Sequence, residues 1–196
     1  MAKIKGNKSS TRRDIIITKA SALFREKGYS ASSMRDLAEI VGVEAASLYN
    51  HISSKGEILQ EICFKIANEF MSNIEKIDSS NISSIEKIEA ILRFHVQHML
   101  NHYEDVYVSD REWKHLPDPY LSNYQSQRRA YRQRMGRIID DGIAKGEIKD
   151  IDSSTAVLIM LHAVSGIESW HRSKKKVPGE LLEENMLMIL IDGMRK

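Results

Sequence analysis

Apolar residues recur three and four positions apart through almost the whole chain, and no stretch sustains an alternation of apolar with polar. The first spacing belongs to helices and the second to half-buried strands, so the pattern predicts an all-α fold of about nine helices. The first helix covers 11–27, with Ile15, Ile16, Ala20, Leu23 and Phe24 on one face and Gly28 as its stop. Ser33 stands three residues before Asp36, the spacing of a capping box, and Met34, Leu37, Ala38 and Val41 give the helix after it an apolar side. Gly42 ends that helix, since glycine takes a left-handed backbone without a Cβ clash. The apolar pattern restarts at Val43 and runs through Ala46, Leu48 and Ile52, about two turns.

Ser54 and Glu57 repeat the capping spacing before a long helix through Ile58, Leu59, Ile62, Ile66, Phe70 and Ile74 to about residue 77. Ser83 and Glu86 do so again before Ile85, Ile88, Ile91, Leu92, Val96 and Leu100. A short helix leads into a turn at Leu116-Pro117-Asp118-Pro119, and 120–144 is a long helix closed by Gly146. Two helices end the chain. One, 154–170, is apolar on most sides; the other, opened by Pro178, has a wide face of Leu181, Leu182, Met186, Leu187, Ile189, Leu190 and Met194. Both present more apolar surface than a single-layer monomer covers, which predicts a homodimer with Leu161, Val164, Leu187 and Leu190 in a four-helix bundle.

Composition narrows the function. The 196 residues can hold one ordinary domain or two small ones. The single Cys63 excludes an intramolecular disulfide and a Cys-rich zinc site, which fits a cytoplasmic protein, and no run approaches the ~20 apolar residues of a membrane span. Net charge is +2, unevenly placed: residues 1–60 carry ten Lys and Arg against six Asp and Glu, and residues 61–196 carry nineteen against twenty-one. The N-terminal third is the part suited to a polyanion. Lys3, Lys5 and Lys8, in an arm without apolar periodicity, either reach phosphates or merely keep the arm soluble.

Two short helices around Gly42, with small polar residues on the outer face of the second, match a helix-turn-helix, whose second helix enters a major groove. The same pattern also fits a plain helical hairpin. The helix before it supplies a third wall, with Arg12 and Arg13 near its start able to touch a DNA backbone. Glu26-Lys27-Gly28-Tyr29, Met34-Arg35-Asp36-Leu37-Ala38, Val41-Gly42-Val43 and Ser47-Leu48-Tyr49-Asn50-His51-Ile52-Ser53-Ser54-Lys55 together resemble the N-terminal domain of the TetR family of bacterial transcriptional regulators. The resemblance covers about residues 11–60. It implies a helix-turn-helix DNA-binding domain at 1–54 and a helical effector-binding and dimerisation domain at 55–196, released from a palindromic operator by a small molecule. It also implies a phosphate contact at Ser47, another at Tyr49, an outward site at Asn50 and a phosphate-bound Lys55. With Arg12, Ser33, Glu44 and Ala45 these form the expected DNA-binding set. Glu44-Ala45-Ala46 departs from the Ser-Lys-Gly of many members, which removes a basic contact and leaves Glu44 to favour the helix start or to accept from a cytosine amino group.

His95, His98 and His102 share one helix face; a metal site, a polar pocket lining and an ordinary surface are all open to them. Arg128, Arg129, Arg132, Arg134 and Arg137 form either a solvated face or a receiver for an organic anion such as an acyl-CoA. The expected ligand pocket comprises Phe70, His95, His98, Trp113, Arg128, Tyr131, Arg132 and Trp170. No nucleophile stands with a base, and Asp140-Asp141 and Glu183-Glu184 point to different helix faces, so no catalytic residue, metal or cofactor is expected. A constitutive DNA-binding dimer without an effector is the alternative, and a helical enzyme or adaptor is the third reading.

Overall fold

The computed structural model describes residues 11–196, so the arm with Lys3, Lys5 and Lys8 lies outside the described residues. The elements are α1 (Arg12–Lys27), α2 (Met34–Val41), α3 (Ala45–Tyr49), α4 (Lys55–Asp78), α5 (Ser84–Asn101), α6 (Tyr103–Arg111), a 3-10 turn (Trp113–His115), α7 (Tyr120–Ala144), α8 (Ser153–Ser165), α9 (Ile167–Arg172) and α10 (Gly179–Met194). The fold is all-α, as its periodicity predicts.

The caps act where the sequence places them. Ser33 with Asp36 and Ser83 with Glu86 close reciprocal capping boxes, and Thr11 with Asp14 closes another at α1. Ser54 accepts from the Glu57 amide, but the Glu57 carboxylate turns to the Ser53 amide and to Arg13 instead of completing a box. Gly42 is left-handed at φ 77°, ψ 41° and stops α2. Gly142 answers a different need: a Cβ there would lie 2.5 Å from Ile148 Cδ1 and 2.9 Å from Ser84 Cβ, because α7 crosses closely over the start of α5. On α1 the buried pair is Ile16 and Ile17, while Ile15, expected inside, is exposed. The apolar run 154–170 is divided at Gly166, whose amide bonds back to both His162 and Ala163, so α8 and α9 are separate.

Two cores form. One gathers α1, α2, α3 and the first half of α4, and is closed from outside by Val108 of α6, Leu116 and Tyr124 of α7. The other gathers the end of α4 with α5, the later part of α7, α8, α9 and α10. The boundary expected between residues 54 and 55 coincides with the start of α4, yet packing runs straight across it. Tyr124, fully buried in the first core, donates its hydroxyl to the Ser109 carbonyl at 2.7 Å and ties α7 to α6 there.

Candidate nucleic-acid interface and ligand cavity

α3 is only five residues, too short to persist alone, and it is held by burial of Leu48 and Ile52. That burial turns Ala46, Tyr49 and Asn50 outward, with Tyr49 54% exposed; Ala45 and Ser47 are half-buried at the flanks. Glu44 occupies the N-cap position, exposed, and its carboxylate makes no cap bond. Arg12 is exposed at the start of α1. Ser33 is committed to Asp36 as the α2 cap.

Two basic side chains expected at the DNA face turn inward. Arg13 bonds Glu57 and Glu61, the first at 2.7 Å, and the His51 carbonyl, locking α1 to α4 and to the end of the α3 segment. Those carboxylates raise the Arg13 pKa, the bond to Glu57 being the largest cause. Lys55 donates to the carbonyls of Tyr29 (2.8 Å) and Ser32 (2.7 Å), with its ammonium 4.3 Å from the centre of the Tyr29 ring. The orphan carbonyls of the turn between α1 and α2 draw it there, so its first task is to clamp that turn. Sequence reasoning missed this because Tyr29 and Lys55 are 26 residues apart.

A cavity of about 530 Å³ opens between α4, α5, α6, α7, α8 and α9. Ile66, Phe70, Met71, Met99, Val106 and Leu161 supply apolar wall. His95 and Tyr131 supply a buried polar pair, with His95 Nε2 2.7 Å from the Tyr131 hydroxyl and Phe70 edge-on to the imidazole. Burial, and secondarily His98, lowers the His95 pKa to about 3, so the imidazole is neutral near pH 7; burial alone raises the Tyr131 phenol. Arginines stand around the polar part of the lining. Arg128 bonds Asp110 at 2.8 Å, Arg111 bonds Glu168 at 2.7 Å, and Arg132 is exposed.

Of the expected pocket residues, Phe70, His95, Arg128, Tyr131 and Arg132 line this cavity. The other three do not. His98 turns to Glu69 and the Phe94 ring, Trp113 packs in the first core beside Tyr124, and the Trp170 indole donates to the Val177 carbonyl under Lys176. The imidazoles of His95, His98 and His102 do not converge either, because His95 is held by Tyr131 while His102, just past the end of α5, is exposed. Arg134 leaves the arginine row for Glu75 and Asp78 of α4. Asp110 and Glu168, which the sequence reading passed over, line the cavity beside the arginines; nothing in their local pattern marks them out.

Val164 and Leu187 are buried inside the chain's own core, and Leu161 faces the cavity, while Leu190 is half-buried. The open apolar face consists of Leu158 (57% exposed) and Ile159 (56%) on α8 with Met188 (56%) and Ile189 (69%) on α10. No helix among the described residues is long and apolar enough to cross a membrane.

This arrangement is a short helix held outward on a three-helix core and joined by α4 to a cavity. Residues 16–62 match the model described as bacterial regulatory proteins, tetR family, and residues 81–194 match the tetracyclin repressor-like C-terminal domain. The chain belongs to the TetR family. It is a helix-turn-helix DNA-binding transcriptional regulator and not an enzyme. Among TetR-family relatives, the transcriptional repressor KstR2 of Rhodococcus jostii is 25% identical over 190 residues, covering 94% of this chain and 92% of the relative. IcaR of Staphylococcus aureus, a negative regulator of the biofilm operon icaADBC, is 27% identical over 162 residues, covering 81% and 82%. In structure, KstR2 of Mycobacterium tuberculosis superposes with a TM-score of 0.88 at 22% identity, over 99% of this chain and 100% of that one. AibR, in complex with isovaleryl coenzyme A and operator DNA, superposes at 0.80 with 19% identity, over 92% and 98%.

Proposed function

We propose that the chain is a cytoplasmic repressor that binds a palindromic operator as a homodimer and is released by a small amphipathic effector with an anionic group, an acyl-coenzyme A thioester being the leading class. The observation that carries this is the cavity itself. Its volume lies in the usual ligand range of roughly 300–1,000 Å³, its walls are apolar with one neutral polar pair, and Arg111, Arg128 and Arg132 line it. Apolar wall suits an acyl chain, and guanidinium groups suit carboxylate or phosphate.

Support also comes from the relatives. KstR2 and IcaR are named as a repressor and a negative regulator, and AibR holds isovaleryl coenzyme A together with operator DNA. The operator contacts fall to Ala45, Ala46, Ser47, Tyr49 and Asn50 with Glu44, and to Arg12 for the phosphates. Leu158, Ile159, Met188 and Ile189 pair with their two-fold mates. Each head must then meet successive major grooves on one side of the duplex, roughly 34 Å apart or a multiple, so a small swing of one head abolishes simultaneous contact.

Selection of bound sequences from random DNA tests the first half, with a palindromic consensus expected and a featureless pool counting against it. A screen of acyl-coenzyme A thioesters and aromatic acids, read by melting temperature and operator release, tests the second. Silence across the screen with intact operator binding would leave the constitutive dimer.

A further inference from the structure

The cavity wall already contains an anion. Asp110 of α6 and Arg128 of α7 both line it, with Arg128 Nη2 2.8 Å from Asp110 Oδ1, and Asp110 pairs with no other base among the described residues. The guanidinium also lies over the rings of Trp113 and Tyr124, 5.6 and 5.8 Å from their centroids. Tyr124 is buried in the core of the DNA-reading head, and Trp113 packs against that core. At the end of the same 3-10 turn His115 stacks on Tyr29, centroids 5.2 Å apart and planes at 24°. Tyr29 is in turn covered by Lys55, whose ammonium holds the carbonyls of Tyr29 and Ser32 immediately before the α2 cap. A continuous set of contacts therefore runs from the cavity's arginine to the turn that carries the helix-turn-helix.

A partly desolvated guanidinium must keep a counterion, because breaking such a pair leaves an uncompensated charge. Asp110 supplies one from the protein. An incoming anion can supply another, and Arg132, one turn along α7 and exposed beside the same cavity, adds a second charge for it. We propose that Asp110 is a stand-in for the effector's anionic group: the effector takes Arg128 away from Asp110, and loss of that link frees the α6–α7 corner from the reading head. Differential affinity, the requirement for any ligand-driven shift, arises because the anion meets Arg128 and Arg132 only where Asp110 has let go. This rests on the effector-released repressor proposed above and names the residue that its effector must displace.

The test uses the full chain and a selected operator. Without any ligand, Asp110→Asn keeps the shape of the side chain and removes its charge; operator affinity should fall roughly tenfold, a common size of coupling between contacting charged residues. Melting temperature and dimer mass should stay near wild type. Arg128→Met should weaken the operator comparably, and the double variant should be no weaker than the worse single one. In a second arm, a panel of acyl-coenzyme A thioesters and short-chain carboxylates should bind Asp110→Asn more tightly than wild type, and Arg128→Met more weakly.

If the wild type binds and releases its operator while Asp110→Asn matches it in both arms, the inference falls and the repressor stands. Additive losses in the double variant also overturn it, and so does a panel that shifts none of the proteins. Should Arg128→Met fail to fold, the near-isosteric Asp110→Asn decides alone. A wild type that binds no selected DNA removes the proposed function and this inference together.

Discussion

In the DNA-reading head, Arg13 and Lys55 turn inward onto carboxylates, carbonyls and a ring, whereas α8 and α10 leave Leu158, Ile159, Met188 and Ile189 in the open. The first region is satisfied within the chain, its core closed by Val108, Leu116 and Tyr124. Its five-residue α3 has no stability of its own, so tertiary contacts must hold it and charged side chains are recruited for the purpose. The second region is unfinished, since side chains that long and apolar remain in water only until another surface covers them. The proposed dimer has reason for both: a rigid head, and a face for a second copy to cover.

The largest effect should come from opening the first region. Phe24 is buried in the head's core, and Phe24→Ala should cost about 3–5 kcal/mol in urea unfolding. Because Val108, Leu116 and Tyr124 share that core, the loss should appear in a single transition. A separate early transition confined to the head would break the contrast. Next comes the open face: Ile189→Glu should shift the protein to monomer at micromolar concentration and weaken operator binding, a change on the order of 2–4 kcal/mol for a central interface residue. Leu187→Glu should instead unfold the chain, since Leu187 is already buried within it. Sedimentation and circular dichroism separate these outcomes, and an Ile189→Glu protein that sediments as a dimer would rule out this face.

Acid should find the buried polar pair of the cavity wall. The folded pKa of His95, about 3, lies below its unfolded value near 6.5, so the unfolded chain takes up a proton that the folded chain refuses. Its contribution is fully present above about pH 6.5 and diminishes as pH falls toward 3, with a slope of at most about 1.4 kcal/mol per unit. His95→Gln should flatten that slope, and an unchanged profile would mean that the imidazole is wetter than its contacts with Phe70 and Tyr131 imply. The smallest pair sharpens the division of labour within the head. Lys55→Met should cost about 1.5–3 kcal/mol of stability through its two lost carbonyl bonds, while Tyr49→Phe should leave stability alone and lower operator affinity by about 0.5–1.5 kcal/mol. A Lys55→Met protein of normal stability, with a reduced salt slope of binding, would return that lysine to the phosphates.

Read from its residues alone, the chain states its local structure well. Helix starts at Ser33 and Ser83 and stops at Gly28 and Gly42 follow from side-chain caps and positive-φ glycines, which act within four residues of themselves. The TetR resemblance was legible for the same reason, because Gly42, Leu48, Tyr49 and Lys55 lie close together in sequence. The cavity was half legible: Phe70, His95, Arg128, Tyr131 and Arg132 reach it, but Trp113 and Trp170 do not. An aromatic residue announces burial without saying in which core. Trp113 went to the reading head, and Trp170 packs against the second core with its indole bonded to the Val177 carbonyl.

What the sequence determined by itself is therefore the set of helices, their caps and the family of the reading head, all set by interactions that span one or two turns. Only the tertiary structure decided which charges remain free. Lys55 is committed to a turn 26 residues earlier, Arg13 to carboxylates 44 and 48 residues later, and Arg128 to an aspartate 18 residues before it. It likewise decided which face of α8 and α10 stays open, moving it from Val164 and Leu187 to Leu158 and Ile189. The physical reason is shared by all of these. A cap or a helical period is satisfied locally, but an ammonium, a guanidinium or an apolar face takes whichever partner the packed chain brings within reach, and sequence distance does not bound that choice.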